Sequence, residues 1–149
     1  MGYENIIHTK DDRLCPKPKK TDWEGMWVWS DLEARHRNAF IQFRKIFLLP
    51  ANTKLQIFVS AESRYEGYID GQRLGHGPLR SNKGYQSFDT YTLELEPGKH
   101  SICFLVHYFG VSTAVSELSR PGLIAEVRDS NNNIIVKTDN SWHCKVSSL

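Results

Sequence analysis

The sequence predicts an all-β domain: a two-sheet antiparallel β-sandwich of jelly-roll type with about nine strands. From Trp23 onward, short segments rich in β-branched and aromatic residues alternate with turn clusters at fairly regular spacing, which leaves little room for helix. Alternation of period two marks several of these segments. Leu55, Ile57 and Val59 share one face, as do Ile102, Phe104 and Val106, because successive strand side chains point to opposite faces. Turn chemistry agrees: Asp70-Gly71 between Tyr68-Ile69 and Gln72-Arg73-Leu74 is the two-residue signature of a type I′ hairpin, whose central residues both need positive φ. That many strands within 149 residues must form two packed sheets.

In chain order, residues 1–22 are polar, lack periodicity and are broken by Pro16 and Pro18. They read as an N-terminal arm that lies on the surface or on another domain, and residues 23–149 read as the sandwich. The expected strands are Met26–Trp29, Phe40–Leu49, Lys54–Ala61, Arg64–Ile69, Tyr85–Leu95, His100–Phe109, Leu123–Arg128, Ile134–Thr138 and Trp142–Val146. Trp27 and Trp29, two apart, are assigned to one strand face in the core. In His100–Phe109 the second face holds Cys103, Leu105 and His107, so this strand is expected to be central and covered on both sides, with His107 a hydrogen-bonded core histidine. Pro50 ends the longest run because it cannot donate to a ladder. The segment Gly75–Tyr85 reads as an ordered surface loop rather than a strand. Only Ser30–Glu33 and Ser112–Leu118 have room for a helical turn.

Bulk properties exclude several classes. The chain is 40% hydrophobic and 24% charged, with seven Phe, six Tyr and four Trp, which fits an ordinary globular domain. A net charge of +2, with its one basic run at Lys17, Lys19 and Lys20, offers no nucleic-acid stripe, and no apolar run approaches a membrane span. The three cysteines lack C-x-x-C spacing, so free thiols are expected. With no apolar leader at its start, the chain reads as cytoplasmic; a chain trimmed of a signal peptide would read the same.

No constellation of residues points to catalysis. Glycoside hydrolysis needs two carboxyl groups across a cleft. None of the 17 acids stands out, and Glu62 and Glu66 flanking Arg64 read as a salt-bridged surface ladder. Asp129-Ser130-Asn131-Asn132-Asn133 copies the start of a calcium loop, but Ile134 stands where Gly is required and Asn140 where Glu is required. A hairpin turn is the better reading. No cofactor and no metal site are expected, although sugar-binding jelly rolls do often carry a structural calcium, which stays open. The six histidines show no ligand spacing, and Gly71, Gly75 and Gly77 have no helix after them to take phosphate. Carbohydrate-facing or domain-interface candidates are His76, Arg80 and Tyr85 in the Gly75–Tyr85 segment, where Arg80 offers a two-point fork and Tyr85 a flat face. Trp23 and Tyr108, at segment ends, are further stacking candidates.

Ser60-Ala61-Glu62-Ser63-Arg64-Tyr65, Ile69-Asp70-Gly71 and Gly77-Pro78-Leu79-Arg80 together resemble the N-terminal β-sandwich of bacterial α-L-rhamnosidase-like glycoside hydrolases. Trp27-Val28-Trp29, Phe43-Arg44-Lys45-Ile46-Phe47, Asp89-Thr90-Tyr91, Pro97-Gly98, Pro121-Gly122 and Thr138-Asp139-Asn140-Ser141-Trp142 follow in the same order. The resemblance implies a galactose-binding-domain-like sandwich that is a non-catalytic accessory domain. It further implies a downstream catalytic domain of the same chain as partner, whose helical toroid carries the acid and base, and carbohydrate as a second partner. Gly67 stands where that family commonly has a bulky apolar residue, which predicts a bulge or a close backbone approach. Two other classes remain open: a free-standing, lectin-like carbohydrate-binding module, and a structural interaction domain without a ligand.

Overall fold

The computed structural model of the chain describes residues 7–9, 23–30, 39–61, 64–77, 88–108 and 122–147. Among these the elements are β1 (Ile7–Thr9), β2 (Val28–Ser30), β3 (Ala39–Leu49), β4 (Thr53–Ala61), β5 (Arg64–Ile69), β6 (Gln72–Gly77), β7 (Asp89–Leu95), β8 (Gly98–Tyr108), β9 (Leu123–Asp129), β10 (Ile134–Lys137) and β11 (His143–Ser147). There is no helix among them, so none that could cross a membrane. One sheet has the order β1-β2-β9-β4-β7, with β10 on the same edge of β9 as β2; the other has the order β11-β3-β8-β5-β6. Every pairing is antiparallel. The fold is the expected all-β, two-sheet sandwich.

Alternation builds the interface between the sheets. Leu55, Ile57 and Val59 of β4 face Ile102, Phe104 and Val106 of β8 and Ile41 and Phe43 of β3 in one apolar cluster, all at 1% exposure or less. Trp142 closes this core. Its ring stacks on Phe104 at 6.2 Å and its Nε1 donates to the Lys137 carbonyl at 2.7 Å, which satisfies the one polar atom of a buried indole. Several short connections cross from one sheet to the other: Pro50–Asn52 between β3 and β4, Glu96-Pro97 between β7 and β8, and Thr138–Trp142 between β10 and β11.

Two hairpins carry the turn residues expected of them. Asp70 and Gly71 both have positive φ, 50° and 82°, as a type I′ turn requires. At the β9–β10 hairpin, Asp129 Oδ1 accepts the Asn131 and Asn133 amides at 2.9 Å each, and Asn132 takes φ 65°. Those bonds hold the Asp129 carboxyl below its usual range, the Asn133 amide contributing most.

The structure corrects three expectations. Gly75, His76 and Gly77 belong to β6, so the segment starting at Gly75 is not loop from its outset. The glycines make room: a Cβ at Gly75 would sit 2.6 Å from the Tyr91 hydroxyl, and one at Gly77 would sit 2.2 Å from Asp89 Oδ2. Ile7–Thr9, inside the segment read as an N-terminal arm, pairs with β2 as an edge strand. Trp27 and Trp29 are both buried but do not share a face: Trp29 lies in the main core, whereas Trp27 packs with Ile124 and Trp23 outside it. His107 is half-buried on the outer side of β8, its ring stacked 4.3 Å from Phe40, and burial lowers its pKa and favours neutral imidazole. The outer row of β8 is therefore only partly covered. Gly67 meets its expectation in part: the β5–β6 register shifts between Gly67 and Tyr68, and the close neighbour is the Phe104 ring rather than a backbone. The two expected helical turns fall largely or wholly outside the described residues.

Candidate functional site

The two predicted candidates whose side chains are described, His76 and Trp23, lie apart. His76 is exposed on β6, with its Nδ1 3.0 Å from Arg73 Nη2. Trp23 lies on the far side of the sandwich, edge-on to Phe88 at 5.8 Å and against the Trp27–Ile124 cluster. Tyr108 ends β8 opposite Ala39. Arg80 and Tyr85 fall outside the described residues. Cys103 is half-buried on β8 and Cys144 is buried on β11, and Cys15 lies outside the described residues.

What the sequence reading missed is a trough of about 350 Å³ on the outer face of the β11-β3-β8-β5-β6 sheet. Gln42 and Arg44 from β3, Ser101, Cys103 and Leu105 from β8, and Tyr68 from β5 line it, and the Gly71 turn closes one end. Register explains the grouping. Arg44 and Tyr68 each pair with Cys103, and Gln42 and Glu66 each pair with Leu105, so these side chains rise in two adjacent rows. The signal was in the sequence as the second face of each alternating strand: Gln42 and Arg44 alternate with buried Ile41 and Phe43, and only the pairing register brings them beside Tyr68.

The Tyr68 ring is held from one side. Its hydroxyl donates to Glu66 Oε2 at 2.6 Å, which raises the phenol pKa, and Arg73 Nη2 lies 3.9 Å from Glu66 Oε1. The expected partner of Glu66 was Arg64; the cross-hairpin cation is Arg73, and Glu62 lies outside the described residues. At the Gly71 end, Asp70 Oδ1 accepts the Ser101 amide at 2.8 Å while Oδ2 lies 2.7 Å from His100 Nδ1. Hydrogen bonding to Asp70 raises the His100 pKa. For Asp70, burial pushes upward, but the His100 and Ser101 bonds outweigh it and the net shift is downward.

Two further polar clusters tie the layers together. Tyr65, 1% exposed, donates its hydroxyl to Asp89 Oδ2 and lies 3.0 Å from the Tyr91 hydroxyl, linking β5 of one sheet to β7 of the other. Burial, together with these partners, pushes the Tyr65 phenol far above its ordinary range, so it stays a proton donor. On β9, Glu126 accepts the Glu24 and Gly25 amides at 2.9 and 3.0 Å through Oε1 and Arg128 Nε at 2.7 Å through Oε2. This anchors the 23–27 segment across the outer face of the β1-β2-β9-β4-β7 sheet. Thr138 completes the anchorage, donating its hydroxyl to the Met26 carbonyl at 2.6 Å.

The GH78 family rhamnosidase of Bacillus sp. GL1 aligns with 85% of this chain at 32% identity and a TM-score of 0.74, the match spanning 14% of that enzyme. This is a rhamnosidase-like β-sandwich domain. The α-L-rhamnosidase of Aspergillus terreus aligns with 94% of the rhamnosidase-like domain at 22% identity and a TM-score of 0.56, again over a small share, 16%, of its own chain. A lectin from Pleurotus ostreatus, solved with GalNAc, shares the fold over 79% of the domain and 34% of the lectin, at 22% identity and a TM-score of 0.59. No family model and no curated protein matches the sequence. The pieces that carried the resemblance prove to be structural joints of the rhamnosidase-like domain: Tyr65 and Asp89 in the inter-sheet bond, Asp70-Gly71 in the hairpin, Thr138 and Trp142 at the crossing into β11.

Proposed function

We propose that this chain is a non-catalytic accessory domain of a larger α-L-rhamnosidase-like glycoside hydrolase, packing on a catalytic region of the same protein and contributing to carbohydrate recognition. One observation carries the reading: 85% of this chain aligns at 32% identity with a segment that makes up 14% of a rhamnosidase. A match of that shape is what an attached domain produces.

The use of the carboxylates supports it. Glu126, Asp129, Asp70 and Asp89 each spend their oxygens on backbone amides, a guanidinium, an imidazole or a tyrosine of the fold itself. An acid and base for glycoside cleavage must instead face each other across a substrate-sized gap. The outer-face trough favours a second reading, a carbohydrate-binding module that acts alone. Reading the gene past the Leu149 codon separates the two. The accessory reading expects an uninterrupted frame into a catalytic region; a stop codon there, with saccharide binding by the chain, favours the free-standing module.

A further inference from the structure

We propose that the outer-face trough is a binding site for an acidic pyranose, a saccharide unit bearing a carboxylate such as a uronic acid. The proposal deepens the carbohydrate-recognition part of the accessory reading and rests on it.

Three observations point to this ligand class. The first is size and chemistry: about 350 Å³, within the range of small-molecule sites, lined by an amide at Gln42, a hydroxyl at Ser101 and an apolar wall at Leu105. Such a mixture suits a ring that has both hydroxyls and an apolar face. The second is the flat phenol ring of Tyr68, whose hydroxyl is tied back to Glu66 at 2.6 Å, so the ring is oriented before any ligand arrives.

The third is charge. Arg44 lies in the trough with a planar fork that suits a carboxylate in two-point fashion. By register, Lys145 sits beside Gln42, Arg64 beside His107, and Arg73 beside Tyr68 on the same face. The described acids on this face are Glu66, which accepts from Tyr68 and lies near Arg73, and Asp70 at the Gly71 end, which accepts from Ser101 and lies against His100. A face of this balance favours an anionic ligand over a neutral one. An acidic surface on a protein partner shares the charge but makes no use of a sugar-sized trough walled by one oriented ring.

The test is a titration of the full chain, followed by amide NMR shifts, with methyl β-D-glucuronide, methyl β-D-glucoside and sodium acetate as probes. The glucuronide is expected to give saturable shifts at Gln42, Arg44, Tyr68, Ser101 and Cys103, with glucoside and acetate at least about tenfold weaker. Arg44→Gln should weaken the glucuronide by about tenfold or more, and Arg44→Lys, which keeps the charge and loses the fork, by less. Tyr68→Ala should lose binding and Tyr68→Phe, which keeps the ring, should retain it. Should Arg44→Gln fail to fold, the Tyr68 pair decides. Equal response to acetate, equal response to glucoside, saturable shifts located elsewhere, or no saturation below about 20 mM each overturn the proposal. A reading frame that runs on into a catalytic region, combined with no glucuronide binding, would remove the trough site and leave the accessory reading intact.

Discussion

Glu126 and Arg128, two residues apart on β9, form an ion pair at 2.7 Å with both side chains almost fully withdrawn from water, at 0% and 4% exposure. Strand alternation puts them on the same side, away from the main core, where the 23–27 segment covers them. The pair exists because Glu126 also takes two backbone amides, which completes its hydrogen bonding in a dry setting.

Breaking this pair by Glu126→Ala takes the acceptor from the buried Arg128 Nε and from two backbone amides, leaving Arg128 only the Asn132 carbonyl and the more distant Glu24 among the contacts described, and is expected to cost about 3–5 kcal/mol in urea unfolding. Replacing both residues by apolar ones of similar volume should cost less than the sum of the two single changes. Near-additive losses would show that the two side chains do not act as a unit.

Tyr65→Phe removes the hydroxyl that links the sheets and leaves the Asp89 carboxylate without its donor. A loss of about 1–3 kcal/mol is expected. Tyr68→Phe, on the open face, should cost less than about 1 kcal/mol; equal losses at the two tyrosines would contradict the inter-sheet role of Tyr65.

Glycine substitutions should separate crowding from backbone strain. Gly75→Ala drives a methyl into the Tyr91 ring, which is held by Tyr65, for an expected loss of about 1–3 kcal/mol. Around Gly71 there is open space within 4 Å, so a loss of similar size from Gly71→Val must come from φ 82° alone. An unchanged melting temperature in Gly71→Val would count against the type I′ hairpin.

The Asp70–His100 pair makes stability depend on pH in a defined direction. His100 has a raised folded pKa, so its contribution is fully present below the unfolded value of about 6.5 and is lost as pH rises through the folded value. Asp70 is depressed, so its contribution is present above the unfolded value of about 3.9 and is lost as pH falls through the folded value. The pair therefore stabilises most between those limits, by less than about 1 kcal/mol because Asp70 is 41% exposed. Asp70→Asn should flatten the decline in melting temperature between pH 6 and pH 8; an equally steep decline in the variant would assign the dependence to other groups.

Much of the fold was legible because local rules and the global fold agree here. The alternation of Leu55, Ile57 and Val59 set their face, and Asp70-Gly71 dictated its own turn. The failures have a common physical cause: each depended on a partner distant in sequence. Gly75 and Gly77 look unfit for a strand until Asp89 and Tyr91 are seen to fill the space they leave. Trp27 reads as core until the cover over Ile124 is known. The trough was illegible because a row across β3, β8 and β5 depends on strand pairing that no single segment encodes. Among the described residues the candidate His76 lies on that sheet, on β6 rather than in the loop expected of it.

The proposed role is to serve a hydrolase without performing hydrolysis. Release of 4-nitrophenol from 4-nitrophenyl α-L-rhamnopyranoside, measured side by side for the chain Met1–Leu149 and for the protein read from the uninterrupted gene, tests it most directly. The account predicts no turnover by the chain and turnover by the longer protein. Turnover by the chain that disappears when a single one of its own carboxylates is replaced would contradict it.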